Sequence, residues 1–150
     1  MIGIRSALVL LTAAIFAGTT GCTSPEHTAK PAQTAAQPPV ETLTPLIEQA
    51  LPNVPGKTFT STVVEFPPSA RAAPHRHGDA FIYAYVLEGT VRSQVDDAPV
   101  RAYHQGESWV EQPGAHHVLT ENTSPTEHAK LLVVFVANTG DKLKVDDPHP

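Results

Sequence analysis

Between residues 57 and 136 the chain is a succession of short runs rich in Val, Ile, Thr and aromatic residues, each closed by a turn signal. The runs are Phe59 to Phe66, Ala80 to Leu87, Thr90 to Val95, Glu107 to Glu111 and Leu131 to Val136. Pro67-Pro68, Glu88-Gly89, Asp96-Asp97, Gln105-Gly106, Pro113-Gly114 and Asn122 to Pro125 stand between them. β-branched and aromatic residues suit a pleated, half-buried surface, and Gly, Pro, Asn and Asp supply the tight reversals. No long helical period interrupts the pattern. The expectation is an all-β domain, an antiparallel sandwich or small barrel.

What precedes this region is built differently. Arg5 leads into the apolar run Ala7–Ala17, which ends in small residues, the layout of an export signal. The run is too short to span a bilayer, which takes about 20 apolar residues. Thr19-Thr20-Gly21-Cys22 then resembles the lipobox of bacterial lipoproteins, although Thr19 stands where an aliphatic residue is usual. That resemblance implies lipidation of Cys22, the only cysteine of the chain, and a lipid-anchored place at the cell envelope. An ordinary signal that leaves Cys22 as a free thiol on a soluble secreted protein is the alternative.

Residues 22–43 are rich in Pro, Ala and Thr, with too few large apolar groups to offset the entropy of ordering, and read as a tether. The domain is expected to span 44–150. It would open with a short N-terminal helix capped by Thr44, with Pro45 in its first turn and Leu46, Ile47, Ala50 and Leu51 on its apolar side. The end from Asp146 to Pro150 reads as a frayed polar tail.

Charge and cysteine content narrow the chemistry. A formal charge of -5 with no basic stripe speaks against a nucleic-acid partner. A single Cys excludes an internal disulfide and any site of several thiolates, so a metal site must use His and carboxylates. Five of the 8 histidines (His75, His77, His104, His116 and His117) fall between residues 75 and 117. In extended chain His75 and His77 point to the same face, with Arg76 opposite, so both can meet one ion. Two solvent-facing loop histidines are the plain alternative.

His75-x-His77 followed by Tyr85-Val-Leu-Glu-Gly89 resembles the first motif of the cupin family, and Gly106 to Gly114 with Ala115-His116-His117 and Asn122 resembles the second. The resemblance implies an antiparallel β-barrel or jelly roll in which His75, His77 and His117 ligate a divalent metal ion. His116 falls on a spacer position, and His104 reads as a solvated loop residue. Where the family carries a ligating Glu in its first motif this chain has Ile82, and Gln112 stands where the second motif has Pro. The expected shell is thereby reduced to three His.

One carboxylate stands as a substitute. Alternation places Trp109 and Glu111 on one face of a strand, which in a cupin would point inward. There Glu111 would ligate the ion, hydrogen-bond a ligand His, or serve as general acid/base; the bland alternative is a rim Glu paired with Arg71, Arg92 or Arg101. Ile82, Ala84, Val86 and Trp109 are the expected pocket wall, whereas Tyr83 and Tyr85 face outward. Imidazole-rich sites favour Cu and Zn over Mn and Fe by intrinsic affinity; for an exported chain that takes what metal is available, Zn is ranked first, then Cu, Mn or Fe. The family includes enzymes and plain binders, so a metal-dependent enzyme acting on a small molecule, a non-catalytic binder, and a degenerate structural domain are all carried forward, with a slight lean to the enzyme. Pairing into a homodimer through the sheets is a further expectation from the resemblance.

Overall fold

The structure, a computed structural model, describes residues 39–148. The signal segment over 1–21, Cys22 and most of the tether lie outside the described residues. Within them every regular element is a strand, and all pairings are antiparallel.

The core follows from alternation along three neighbouring strands. On β2 (Lys57–Phe66), β5 (Phe81–Glu88) and β10 (Ala129–Asn138), the residues Val64, Phe66, Ile82, Ala84, Val86, Leu131, Val133 and Phe135 point to one buried face. The register aligns them in rows: Phe135 lies opposite both Thr60 and Ile82, and Val133 opposite both Thr62 and Ala84. Matching apolar residues across rungs is what holds such a sheet in register, because a one-residue slip would turn the whole set outward. With β1 (Thr42–Ala50) and β8 (Ser108–Glu111) at its margins, this sheet runs β1-β2-β10-β5-β8.

The second sheet runs β11-β4-β9-β6-β7, with β3 (Arg71–Ala72) also on β9. Its members are β4 (His75–Arg76), β6 (Thr90–Val95), β7 (Arg101–His104), β9 (His116–Glu121) and β11 (Val145–Asp146). The two sheets form the expected cupin-type jelly roll. Asn122 fastens one corner of it: its buried amide donates to the carbonyls of Phe66, Pro67 and Glu127, and its Oδ1 accepts from Ser124 N–H.

Three sequence expectations are corrected. The segment 44–51 is no helix: β1 pairs along the edge of β2, with a register shift between Pro45 and Ile47. An isolated short helix would gain little, whereas the free edge of β2 offers a ladder of backbone partners. Pro45, which cannot donate, is tolerated because it sits on an outer strand beside that irregularity. Strand pairing thus begins at Thr42, inside the segment read as tether. The tail is not frayed over its described part, since β11 pairs with β4 and Asp147 N–H donates to the Pro74 carbonyl.

Gly89 turns the chain from β5 into β6 at a φ of 73°. A Cβ there would lie 2.6 Å from the His128 carbonyl oxygen, a backbone atom that cannot step aside. Gly89→Ala combines this clash with a left-handed conformation costing about 1–2 kcal/mol. It is expected to lower stability by at least about 2 kcal/mol in denaturant titration, more than Gly78→Ala, whose Cβ would meet nothing within 4 Å.

Candidate metal centre

Strand pairing brings the two halves of the site together. On neighbouring strands His75 of β4 lies directly opposite His117 of β9, although 41 residues separate them in sequence. His77 follows just beyond β4. All three side chains are buried, and each offers a ring nitrogen within 4.8 Å of the others'. The ring centroids of His75 lie 4.7 Å from His77 and 5.0 Å from His117.

Each imidazole is oriented through its second nitrogen. His75 Nδ1–H donates to the Ala73 carbonyl at 2.7 Å, and His77 Nδ1–H donates to the Leu143 carbonyl. Both rings therefore present Nε2 with its lone pair, the form a metal requires. Burial pushes the His75 pKa from the ordinary 6.5 down to about 4. The Ala73 carbonyl opposes this, while the neighbouring His117 and His77 reinforce it. Burial likewise lowers His77, against the pull of the Leu143 carbonyl and Glu111. Two neutral imidazoles are the result.

His117 is engaged at both nitrogens. Nε2 lies 2.9 Å from Ser93 Oγ and 2.6 Å from Thr120 Oγ1, while Nδ1 lies 3.0 Å from Glu111 Oε1. Hydroxyls accept as well as donate, so Nε2 can keep the proton and leave the Nδ1 lone pair facing the site. Ser93 and Thr120 are buried polar residues that sequence reasoning did not single out. The available signal was weak: each occupies an inward position of a strand where an apolar residue would otherwise be expected.

Glu111 is 3% exposed, which removes the rim alternative; Arg92 pairs instead with Glu121 and Arg101 with Glu107. Trp109 Nε1–H donates to Glu111 Oε1 at 3.1 Å. Burial by itself raises the carboxyl pKa. In the tautomer in which His117 Nδ1–H donates to Oε1, that hydrogen bond and the charge of His117, with His77 and Trp109 behind them, outweigh it and hold the group below the usual carboxylate range. Glu111 Oε2 is buried without a hydrogen-bond partner, and His77 Nε2 stands 3.7 Å away. Three lone-pair-bearing imidazoles beside an ionised carboxylate with one unused oxygen form a donor set that fits a divalent cation.

His116 and His104 lie apart from this group. His116 Nε2 contacts Asp147 Oδ2 at 2.7 Å, and His104 shares a hydrogen bond with Thr90 at the exposed end of β7.

A cavity of about 450 Å³ opens beside the three rings. Ala84 and Trp109 line it as expected. Ile82 and Val86 do not: they are 1% and 0% exposed and belong to the packed core. Alternation decides which face a residue takes, not how far along that face the empty space extends. The remaining wall comes from Leu131, Val133 and Phe135 of β10 and from Leu43 and Ile47 of the unforeseen β1, with Glu41 and Lys144 paired at 3.0 Å.

A two-sheet antiparallel roll with three buried histidines converging on one cavity defines a jelly-roll protein whose donors could hold a metal ion. Residues 62–135 match the cupin domain family, and the chain is a cupin. No curated protein sequence matches it. Among solved structures it is similar to the cupin domain of Schizosaccharomyces pombe Cnp3, at 17% identity and TM-score 0.56 over 66% of this chain and 62% of that one. Recombinant oxalate oxidase in complex with glycolate aligns at 22% identity and TM-score 0.56, over 74% of this chain and 57% of that one. An uncharacterized conserved protein with a double-stranded β-helix domain from Klebsiella pneumoniae aligns at 16% identity and TM-score 0.56, over 73% and 85%. The chain thus spans about three-fifths of the length of the first two. At these identities the likeness is one of fold.

Two outcomes are expected. His75→Ala and His117→Ala should each abolish metal binding, measured by elemental analysis after dialysis, while far-ultraviolet circular dichroism stays unchanged, because the backbone pairing of β4 with β9 does not use these rings. Acid should destabilise the metal-free protein over a defined window. The folded state disfavours the His75 proton, so between pH 6.5 and about 4 the unfolded chain binds more protons and stability falls as pH falls. His75→Gln should flatten that decline in melting temperature.

Proposed function

We propose that this chain is an envelope-located cupin that holds one divalent metal ion through His75, His77 and His117 and acts on a small molecule seated beside it. The observation that carries this reading is the convergence of three buried histidines, two of them held neutral, on the wall of one apolar-lined cavity. Imidazole sites favour Cu and Zn over Mn and Fe by intrinsic affinity, and Zn is placed first because a small set of imidazole and carboxylate donors suits its tetrahedral shell. When bound, such an ion supplies Lewis acidity, polarising an oxygen of the ligand next to it.

The chain's own residues set the rest. Leu131, Val133 and Phe135 favour an apolar body on the ligand, and the histidine end favours an oxygen-bearing head. Glycolate, seen with the structurally similar oxalate oxidase, has no such body, so a larger molecule suits this wall. The Ala73 and Leu143 carbonyls keep two rings in the ligating tautomer. Glu111 is the carboxylate that sits against both His77 and His117 and also lines the cavity.

A second reading, a non-catalytic binder, is favoured by the openness of the β1 side, where Leu43, Leu46 and Ile47 line the cavity yet stay about half exposed. A site that leaves water at its wall is better suited to holding a ligand than to excluding solvent from a reaction.

Envelope location rests on the export-signal pattern and the lipobox-like Thr19 to Cys22. The acidic body gives no electrostatic hold on anionic lipid, so retention falls to acyl chains on Cys22.

Purified full chain should contain one metal ion per molecule by elemental analysis; its absence would sink the metal reading. A thermal-shift screen of small acids, phenols and sugars on the loaded protein should find a stabilising ligand, and turnover of that ligand would decide enzyme over binder. Cys22→Ala should release the protein from the membrane fraction and lose labelled palmitate. Unchanged fractionation would favour the soluble secreted form.

A further inference from the structure

We infer that Glu111 is a fourth protein ligand to the ion, joining His75, His77 and His117 through a carboxylate carried on β8. The inference rests on the metal reading above and adds a donor to it. Its starting point is an unsatisfied atom. Glu111 Oε1 is served by Trp109 Nε1–H and lies 3.0 Å from His117 Nδ1, but Oε2 has no partner although its side chain is buried. An ionised oxygen buried in that state is strongly unfavourable unless a cation or donor reaches it, more so than an unpartnered neutral group.

The surroundings name the missing partner. Oε2 faces His77 Nε2 at 3.7 Å, and that nitrogen carries a lone pair because Nδ1–H is committed to Leu143. Lone pair toward carboxylate is repulsive as it stands. The same holds at His117 when Nε2–H is given to Thr120 and Ser93, leaving Nδ1 to face Oε1. A cation between these atoms turns both contacts into ligand–ligand edges. With bond lengths of about 2.1 Å, edges of a right-angled or tetrahedral shell span about 3.0–3.4 Å. The His117–Glu111 distance of 3.0 Å lies on that range, and the 3.7 Å to His77 closes onto it with a shift of a few tenths of an ångström.

The backbone explains how a carboxylate reaches this place. Glu111 is the direct partner of Ile82 across β5 and β8, and both side chains are buried on the same face. Ile82 contributes no donor, so on that rung the neighbouring strand contributes it. Ligation and free general-base action compete for the same oxygen. The assignment therefore selects ligation over the acid–base role that the sequence also left open to Glu111, and it brings a negative charge to an otherwise neutral three-histidine site.

Crystals of the full chain loaded with Zn(II) test this directly. The expected result is a Glu111 oxygen at about 2.0–2.2 Å from the ion, alongside nitrogens of the three histidines. Zn(II) affinity, measured by competition with a chelator, should fall more than about 100-fold in Glu111→Gln, beyond the 10–100-fold typical of losing a residue that only hydrogen-bonds a ligand. Zn(II) held by the three histidines with water in the fourth place and Glu111 more than about 3 Å away would overturn the inference, as would a smaller loss of affinity. Failure of the wild-type chain to bind Zn(II) at all would instead overturn the metal reading beneath it.

Discussion

Everything at the functional end of this molecule hangs on two neighbouring rungs of backbone, His75 against His117 and Arg76 against His116, where β4 meets β9. A strand of two residues has little stability of its own. It persists because β9 is also paired with β6 and β3, and because β11 closes the other side of β4. The His75 and His117 ring positions are thus fixed by a sheet rather than by a loop, and His77 follows directly on β4. That is the arrangement that holds ligand geometry to within a fraction of an ångström.

Placing three imidazoles and a carboxylate in the interior is unfavourable unless each polar atom finds a partner. The chain answers most of this demand locally. The Ala73 and Leu143 carbonyls take two N–H groups, Ser93 and Thr120 stand at the third ring, and Trp109 caps one oxygen of Glu111. Burial at the same time keeps His75 and His77 unprotonated, so the desolvation that costs stability is what prepares the donors. The one atom left over, Glu111 Oε2, belongs to the same cluster as the donors and not to a remote corner of the core. Among the described residues it is the one buried side-chain polar atom without a hydrogen-bond partner.

Much of this was legible in the chain. Val, Ile, Thr and aromatic runs matched β2, β5, β6, β8 and β10 to within a residue or two, and alternation put Trp109 and Glu111 on the buried face with Ser108 and Val110 outside. The cupin motifs pointed to the three histidines that the structure brings together. Six strands were missed. β3, β4 and β11 have two residues each, too few to carry a period, β7 and β9 open on charged or polar residues, and β1 carries Pro45 with a helix-like apolar spacing. Their conformations are set by partners far away in sequence, and local propensity yields to such pairing. Ser93 and Thr120 were missed for the same reason, since a hydroxyl shows its role only beside His117.

Sequence by itself determined the all-β class and put Trp109 and Glu111 on one face of a strand, because both follow from residue type and a period of two; resemblance to the cupin motifs added His75, His77 and His117 as candidate donors. Only the tertiary structure decided that Glu111 lies on the same rung as Ile82, that a carbonyl of the C-terminal segment holds His77, and that β1 walls one side of the cavity. Those are facts of register and of contact between segments distant in the chain. Alternation says which way a side chain points, and only the packed sheets say what it meets there.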